Sequence, residues 1–292
     1  MPELPEVQAL AERIAELSAG RTVERVEVLS VQVLKTFDPP VTALHGQAVS
    51  SVTRHGKFLD LLAGDGPHLV LHLARAGWIR HRASFPAPKP GAGGGRPGRG
   101  PLALRIVLDD GSGFDVTEQG TTKRLAAYVV TDPQLVPGVA RLGTDPLGPD
   151  FTEQRLAELT AGQRHRLKTF LTDQTVLAGI GNAYSDEVLH EARLSPYVLA
   201  STLTPEQLTA LHTAIRETLG AAVARAHETT ADALKAEKRA GMAVHGRAGE
   251  RCPRCGDTVR SVNFADSSLQ YCPTCQTGGR VLADRRLSRL LK

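Results

Sequence analysis

The spacing of apolar residues changes twice along the chain. Near the amino terminus, Val7, Leu10, Ile14 and Leu17 recur every three or four residues, so the spacing predicts a helix that ends near Gly20. From residue 23 to about residue 130 the apolar runs are short and are separated by glycine turns, which is typical of β-strands. Many short strands of this kind predict an antiparallel sandwich or barrel. The strands that the pattern defines best are 26–28, 57–62, 68–73, 102–108 and 126–130.

The second half of the chain returns to a helical period. Thr204, Pro205 and Glu206 supply an N-cap, a first-turn proline and an acidic first turn for one of these helices. The predicted helices are 152–159, 167–173, 184–192 and 205–227. We therefore predict a multi-domain α+β protein with a β-rich domain at 1–131, a proline- and glycine-containing linker at 132–150, a helical domain at 151–240 and a cysteine-containing segment at 246–292.

Residues 85–101 interrupt the β-rich region with proline, glycine and basic residues. This composition cannot pack a core and predicts a mobile loop within the domain. Arg96 and Arg99 can touch a nucleic acid from such a loop. A solvated insertion is the simpler interpretation.

Composition narrows the class of protein. The chain has 292 residues, enough for two domains or for one large domain with a small appendage, and the 41% of hydrophobic residues is enough for a buried core. No apolar run reaches the length of a membrane span, and the amino terminus lacks the layout of a signal peptide. We therefore expect a cytoplasmic protein without a membrane partner. A net charge of +4 and an isoelectric point near 9.0 favour a polyanionic partner but do not prove one.

The four cysteines form two Cys-x-x-Cys pairs, separated by the sixteen residues 256–271. Two such knuckles present four thiolates to one tetrahedral ion, which predicts a zinc ribbon. Because protein fills all four positions, the single Zn²⁺ is expected to be structural. Unpaired core cysteines would not explain the symmetric spacing. The predicted ligands are Cys252, Cys255, Cys272 and Cys275.

The first residues, Met1-Pro2-Glu3-Leu4-Pro5-Glu6, permit unusual chemistry. If Met1 is removed, Pro2 presents a secondary α-amine, and terminal amines titrate near pH 8, so a fraction is nucleophilic at neutral pH. Such an amine can attack a sugar C1′ and form a Schiff base, while Glu3 moves protons. The same residues fit an ordinary turn or helix start, and alone they favour that interpretation. Glu6, one turn further on, fits a place in a substrate pocket and a helix cap equally well.

Taken together, four stretches resemble the Fpg/Nei family of DNA glycosylase/AP lyases (formamidopyrimidine-DNA glycosylase and endonuclease VIII). They come in the family's order and span nearly the whole chain: PELPEV at 2–7, RHGKF at 54–58, the region from Asp173-Gln174 to the GIGNAY motif at 179–184, and the four-cysteine site.

The resemblance implies an amino-terminal catalytic β-sandwich with an amino-terminal helix, a helix-two-turn-helix DNA-binding domain and a zinc ribbon. It implies a monomer that needs no small-molecule cofactor and that repairs damaged double-stranded DNA by base excision, at the nucleoid if the source is bacterial. Oxidised bases and abasic sites would be processed through a Schiff base at Pro2, followed by β,δ-elimination.

The resemblance also assigns roles to single residues. Lys57 matches a phosphate-binding lysine of the active site, and His72 matches a histidine that contacts the DNA backbone. Lys168 and Asn182 match residues that grip phosphates beside the lesion, contacts that position a strand without reading its sequence. Without the resemblance, Lys57 and His72 would be interpreted as a solvated lysine and a half-buried sheet histidine.

Several lesion-reading positions depart from the family. Arg75 stands where the family inserts a methionine into the gap left by the extruded base, and Lys123 and Leu125 replace an arginine and a phenylalanine. In the zinc ribbon, Ser267 replaces a DNA-contacting arginine. The arginines of the carboxyl-terminal tail can restore charge, although a solvated tail is the plainer interpretation: Arg280, Arg285, Arg286 and Arg289.

These departures leave the preferred lesion open among oxidised purines, ring-opened purines, oxidised pyrimidines and abasic sites. They also motivate a second hypothesis, a damage- or abasic-site-binding protein with weak or no glycosylase activity. A zinc-ribbon protein that binds RNA or protein is a third possibility, but it leaves Pro2 and Glu3 unexplained.

Overall fold

The computed structural model describes residues 1–85, 101–119, 122–230, 233–264 and 267–283. The chain divides into two compact units, Met1–Arg141 with Thr229–Ala233, and Leu142–Glu228 with Leu234–Lys292. In the described ranges no helix has the length and apolar character needed to cross a membrane. The predicted loop with Arg96 and Arg99 lies outside these ranges, as do three tail arginines: Arg285, Arg286 and Arg289.

Helix α1, Leu4–Ser18, opens the first unit. The predicted helix is confirmed and begins three residues earlier than residue 7, because Pro5 occupies the first turn, where a missing N–H costs nothing. The helix ends before Gly20, whose φ of 69° is a left-handed conformation that glycine adopts without steric cost.

Eight strands of the first unit form two four-stranded antiparallel sheets, with the orders β2-β3-β4-β8 and β1-β6-β7-β5. All five predicted strands are confirmed, whereas β2, β5 and β7 were missed. Their bounds are β1 Val23–Val28, β2 Val49–His55, β3 Phe58–Ala63, β4 His68–His72, β5 Gly77–Arg82, β6 Leu102–Leu108, β7 Gly113–Glu118 and β8 Ala126–Val130.

The inner faces of these sheets share one core. Leu59 and Leu71 of one sheet and Ile106 and Phe114 of the other line a single small cavity, together with Ile14 of α1. Each of these five side chains is at most 6% exposed. Apolar burial of this kind is the main stabilising term of a sandwich, and the predicted sandwich is confirmed.

The second unit is mainly helical, as predicted. Helix α5 begins with a capping box, in which Thr204 Oγ1 accepts the Gln207 N–H at 3.3 Å and Gln207 Oε1 accepts the Thr204 N–H at 3.0 Å. The hairpin β9–β10 belongs to the predicted zinc ribbon, whereas the short helices α6 and α7 were not predicted. The bounds are α2 Glu153–Thr160, α3 Leu167–Thr172, α4 Asn182–Glu191, α5 Pro205–His227, α6 Leu234–Ala240, β9 Arg260–Asn263, β10 Ser268–Tyr271 and α7 Pro273–Thr277.

Candidate functional site

Pro2 and Glu3 are buried at the start of α1. The Glu3 N–H donates to Glu6 Oε2 at 2.8 Å, and the Glu3 carbonyl accepts the Val7 N–H at 3.0 Å. Glu6 is therefore a helix cap, which is one of the two roles expected for it. Because the backbone of Glu3 belongs to this cap, the position of the neighbouring Pro2 nitrogen is set by the helix.

Lys57 lies in the tight turn between β2 and β3, where Gly56 has a φ of 55°. Its side chain is buried, with 9% exposure for the residue. Arg54 joins this turn to α1, since its Nη1 donates to the Gly56 carbonyl at 3.3 Å and its Nε donates to Gln8 Oε1 at 2.8 Å. The turn that carries Lys57 is thus braced against the helix that carries Glu3.

His72 lies on β4, directly opposite Phe58 of β3. The two rings are 4.6 Å apart between centroids and are tilted by 39°. Burial, and to a lesser extent the positive charge of Lys57, together lower the pKa of His72 to about 4. Lys57 and His72 are therefore electrostatic neighbours, and the imidazole is neutral at pH 7. A neutral imidazole can still donate one N–H to a phosphate oxygen.

A buried carboxylate that sequence reasoning missed lies beside this region. Asp60, 4% exposed, contacts His55 Nε2 through Oδ2 at 3.0 Å and His68 Nδ1 through Oδ1 at 2.8 Å. These contacts connect the three adjacent strands β2, β3 and β4. The available signal was an aspartate in the middle of the apolar strand β3, because a buried carboxylate needs partners.

Arg75 is exposed on the tight turn between β4 and β5. The turn closes with the Gly77 N–H donating to the Leu73 carbonyl at 2.8 Å, and a Cβ at Gly77 would lie 2.0 Å from that oxygen. Ala74 has a φ of 51°, a left-handed conformation that costs an alanine free energy. This strained turn presents the guanidinium at its tip.

Leu125, which stands where the family has a phenylalanine, is buried, unlike the exposed Arg75. Leu125 is only 3% exposed, and its N–H donates to Glu118 Oε1 at 3.0 Å. The same carboxylate oxygen accepts the Arg124 N–H at 2.7 Å, and Lys123 Nζ donates to the Glu118 carbonyl. Leu125 therefore anchors its loop in the sandwich, while Lys123 and Arg124 are exposed.

In the second unit, Lys168 and Asn182 lie together at the start of α4. Lys168 Nζ donates to the Asn182 carbonyl and to Asp186 Oδ1, both at 2.6 Å. The Asn182 side-chain amide donates to the Ser268 carbonyl at 2.9 Å. Both predicted phosphate-binding residues therefore have partners within this unit.

The backbone before α4 is shaped by Gln174. Its Oε1 accepts the Gly179 N–H at 2.9 Å, and its Nε2 donates to the Ile180 carbonyl at 2.8 Å. Gly179 has a φ of 98°, which favours glycine, and Gly181 is the N-cap residue. The turn leads into a ten-residue helix whose first N–H groups can face an anion.

The four cysteines lie together, with all four sulfur atoms within 4.8 Å of one another. Cys252 Sγ is 3.9 Å from Cys275 Sγ, and Cys255 Sγ is 3.4 Å from Cys272 Sγ. A Zn–S bond of about 2.3 Å gives a tetrahedral edge of about 3.8 Å, so this donor set fits Zn²⁺. The four sulfurs complete a tetrahedron, and the zinc is structural.

The hairpin β9–β10 lies between the two cysteine pairs. Ser267, which stands at the family's arginine position, accepts the Phe264 N–H through its carbonyl at 2.8 Å. The hairpin thus folds without that arginine. Among the tail arginines, Arg280 is described and is exposed.

Comparison with known proteins accounts for this arrangement. Three family models match the chain: the formamidopyrimidine-DNA glycosylase N-terminal domain over 1–120, the formamidopyrimidine-DNA glycosylase H2TH domain over 142–233, and a zinc finger found in FPG and IleRS over 249–278. The chain belongs to the formamidopyrimidine-DNA glycosylase family. The resemblance inferred from the motifs is confirmed.

Individual glycosylases show how far the similarity extends. The formamidopyrimidine-DNA glycosylase of Symbiobacterium thermophilum is 35% identical, over 98% of this chain and 93% of its own length. A formamidopyrimidine-DNA glycosylase-like protein of Mycobacterium tuberculosis is 58% identical over 151 residues, which is 52% of this chain and 94% of that protein. The Lactococcus lactis enzyme bound to DNA with an AP site has a TM-score of 0.79 and 26% identity, covering 94% of this chain and 99% of that one.

Proposed function

We propose that this DNA glycosylase of base-excision repair is bifunctional and also cleaves DNA at abasic sites, with the α-amine of Pro2 as its nucleophile. The observation that supports this most strongly is the burial of Pro2 and Glu3 within the cap of α1. The capping box of α1 uses the Glu3 carboxylate, but a structural helix start has no use for a secondary amine before it. Covalent catalysis requires both groups at set positions.

The reaction begins when Met1 has been removed. The Pro2 nitrogen attacks C1′, the glycosidic bond breaks, and the base leaves with the bonding electrons and gains a proton. Glu3 protonates the ring oxygen as the sugar opens to an iminium ion. The iminium acidifies the C2′ proton, so that β-elimination expels the 3′ phosphate. A second elimination expels the 5′ phosphate.

Phosphate contacts supply the positioning. In the first unit, Lys57 and the neutral His72 are proposed to hold the backbone at the lesion. In the second unit, Lys168 and Asn182 are proposed to do so beside it, with Asn182 at the amino-terminal end of α4. Because such contacts release counterions, affinity for DNA should fall steeply as salt rises.

The altered reading positions favour a second candidate, a protein that binds damaged DNA without chemistry. Arg75 and the buried Leu125 differ from the residues expected to fill the gap in the duplex. Binding alone does not require Pro2, Glu3 and Lys57 as a set. The bifunctional enzyme therefore accounts for more of the sequence.

Borohydride trapping separates these candidates. The full chain, with Met1 removal verified by mass spectrometry, is incubated with a duplex that contains one abasic site. We expect a covalent adduct with the native protein and none with Pro2→Gly, while Pro137→Gly, at an exposed position of the same unit, serves as the control and should form the adduct. Tight binding without an adduct would instead support the damage-binding protein.

A further inference from the structure

Helix α4 makes polar contacts with residues 243–245, which precede the zinc ribbon, and with Gln270 inside it. The Glu187 carboxylate accepts hydrogen bonds from the three consecutive N–H groups of 243–245, at 2.6, 2.9 and 2.8 Å. Asp186 Oδ2 accepts the N–H of Gln270, on the strand that precedes Cys272, at 3.2 Å. Both carboxylates are buried, so these bonds lie away from water.

The last turn of α4 meets the first cysteine pair. Arg254, which lies between Cys252 and Cys255, donates through Nη2 to both carboxylate oxygens of Glu191 at 2.7 Å. Its Nη1 donates to the carbonyls of His190 and Glu191, each at 3.2 Å. The first knuckle therefore covers carbonyl groups that the helix end would otherwise leave to solvent.

His190 makes the contact closest to the metal ligands. Its Nε2 lies 3.2 Å from Cys252 Sγ, which is a hydrogen-bonding distance for sulfur, and both residues are at most 3% exposed. A metal-bound thiolate carries no proton, so it can only accept. In the metal-loaded protein the hydrogen therefore lies on Nε2, and the imidazole donates to Cys252.

His190 is placed outside the set of metal ligands. The ligand atoms that lie within 4.8 Å of one another are the four cysteine sulfurs, and four sulfurs complete a tetrahedral zinc site. We propose that His190 is a positioning residue of the metal centre: its Nε2–H holds the Cys252 thiolate, strengthens zinc binding and ties the ribbon to the helix that begins at Asn182.

The physical reason is the excess negative charge of four thiolates around one divalent ion. A donor to one thiolate stabilises that charge, and its effect is larger at a buried site because the local dielectric is low. His190 lies two helical turns from Asn182, so a metal centre that holds His190 also restrains the start of α4. The proposal does not depend on the chemistry at Pro2.

The first experiment measures zinc affinity of the full chain by competition with a chelator. His190→Phe removes the donor and keeps a ring, and we expect affinity to fall by about 10- to 100-fold. His190→Gln keeps an N–H donor and should restore part of the loss. His165→Phe changes an exposed histidine of the same unit and should leave affinity unchanged. Equal affinities for all four proteins would overturn the proposal.

A second measurement uses Co²⁺ as the probe. If His190 donates to Cys252, His190→Phe shifts the thiolate-to-cobalt charge-transfer band while the tetrahedral ligand-field bands keep the four-sulfur pattern. An altered ligand-field pattern would show that His190 is itself a metal ligand. An unshifted charge-transfer band would show that His190 does not donate to Cys252. Either result overturns the proposal. Should His190→Phe not fold, His190→Gln supports the same comparison, with a smaller shift expected.

Hydrogen exchange tests the link to α4. In the zinc-loaded His190→Phe protein, amides at the start of α4 should exchange faster than in the native protein, while amides of α2 keep their rates. Unchanged exchange throughout α4 would show that His190 does not transmit metal binding to the helix.

Discussion

Two buried polar regions of this molecule are organised in opposite ways. At the amino terminus, Glu3 and Glu6 are linked across three positions of the chain. In the second unit, Asp186 and Glu187 accept hydrogen bonds from residues between 18 and 84 positions away. The first region is assembled by local helix geometry, while the second exists only when distant segments meet. Changes at the first should therefore alter chemistry more than folding, and changes at the second should alter folding.

The largest expected effect tests the chemical side of this comparison. Glu3→Gln removes the proton-transfer group but keeps the size of the side chain and the backbone N–H that donates to Glu6. We expect abasic-site cleavage to slow by about 10²- to 10⁴-fold, with little change in the urea midpoint of unfolding. The measurements are single-turnover cleavage and equilibrium unfolding.

Glu16→Gln is the control for that variant, because Glu16 is an exposed acid on the same helix. It should cleave abasic DNA at the native rate. Native activity in Glu3→Gln, or a loss shared equally with Glu16→Gln, would contradict the catalytic role.

The second-largest expected effect tests whether the buried polar contacts of the second unit stabilise its fold. Lys168 and Asp186 form an ion pair at 2.6 Å, with side-chain exposures of 13% and 1%. Asp186→Asn leaves the ammonium without its anion, and breaking a buried pair in this way costs about 3–5 kcal/mol of unfolding free energy. Urea unfolding of the zinc-loaded protein measures the loss.

A double-mutant cycle with Lys168→Met isolates the pair, since the double variant should lose less than the sum of the single losses. The matched control is Arg155→Met, which removes an exposed ion pair with Glu158 and should cost at most about 1 kcal/mol. A loss for Asp186→Asn as small as that of the control would show that the second region does not sustain the fold.

The same contrast explains which features could be predicted from sequence. Helix α5 was predicted with its observed bounds, Pro205–His227, because its cap is formed by adjacent residues. The zinc ligands were predicted because the spacing of the two Cys-x-x-Cys pairs is enough to identify a zinc site. Strand β7 was missed because Asp115 breaks its apolar pattern, and the partners that permit the burial of this aspartate, Arg82 and Arg105, lie on other strands.

The candidate site was predictable to the same extent. Motif resemblance named Pro2, Glu3, Lys57 and His72, but it gave no sign of the carboxylate network around α4. The burial of Leu125 was also hidden, because its anchoring carboxylate belongs to Glu118 at the end of β7, on the other side of the loop. Side chains whose partners are remote in the sequence become visible only in the folded chain.

A smaller expected effect is the pH dependence of stability that comes from His72 in the first unit. The pKa of His72 is lowered to about 4 in the folded protein by burial and by the charge of Lys57, while an unfolded histidine titrates near 6.5. Between these values the unfolded chain binds a proton that the folded chain does not. Stability from this group is therefore complete above about pH 6.5 and is lost as pH falls toward 4.

Unfolding free energies measured across this range should show a shallower decline in His72→Asn than in the native protein. His165→Asn, at an exposed position, should decline as the native protein does. An identical decline in His72→Asn would mean that the imidazole is not held neutral.

The smallest expected effect tests whether the first region also contains backbone that is not optimal for folding. Ala74 has a φ of 51°, and Ala76, in the same turn, does not share this left-handed conformation. Glycine relieves the strain at the first position, whereas at the second it only adds conformational entropy to the unfolded chain.

We expect Ala74→Gly to raise the free energy of unfolding by up to about 1 kcal/mol, and Ala76→Gly to lower it by about 0.5–1 kcal/mol. Opposite signs, measured by urea unfolding, would show that the turn presenting Arg75 is held in a conformation that folding alone disfavours. A loss of stability in both variants would show that the backbone at Ala74 is not strained. The turn would then present Arg75 without any loss of stability.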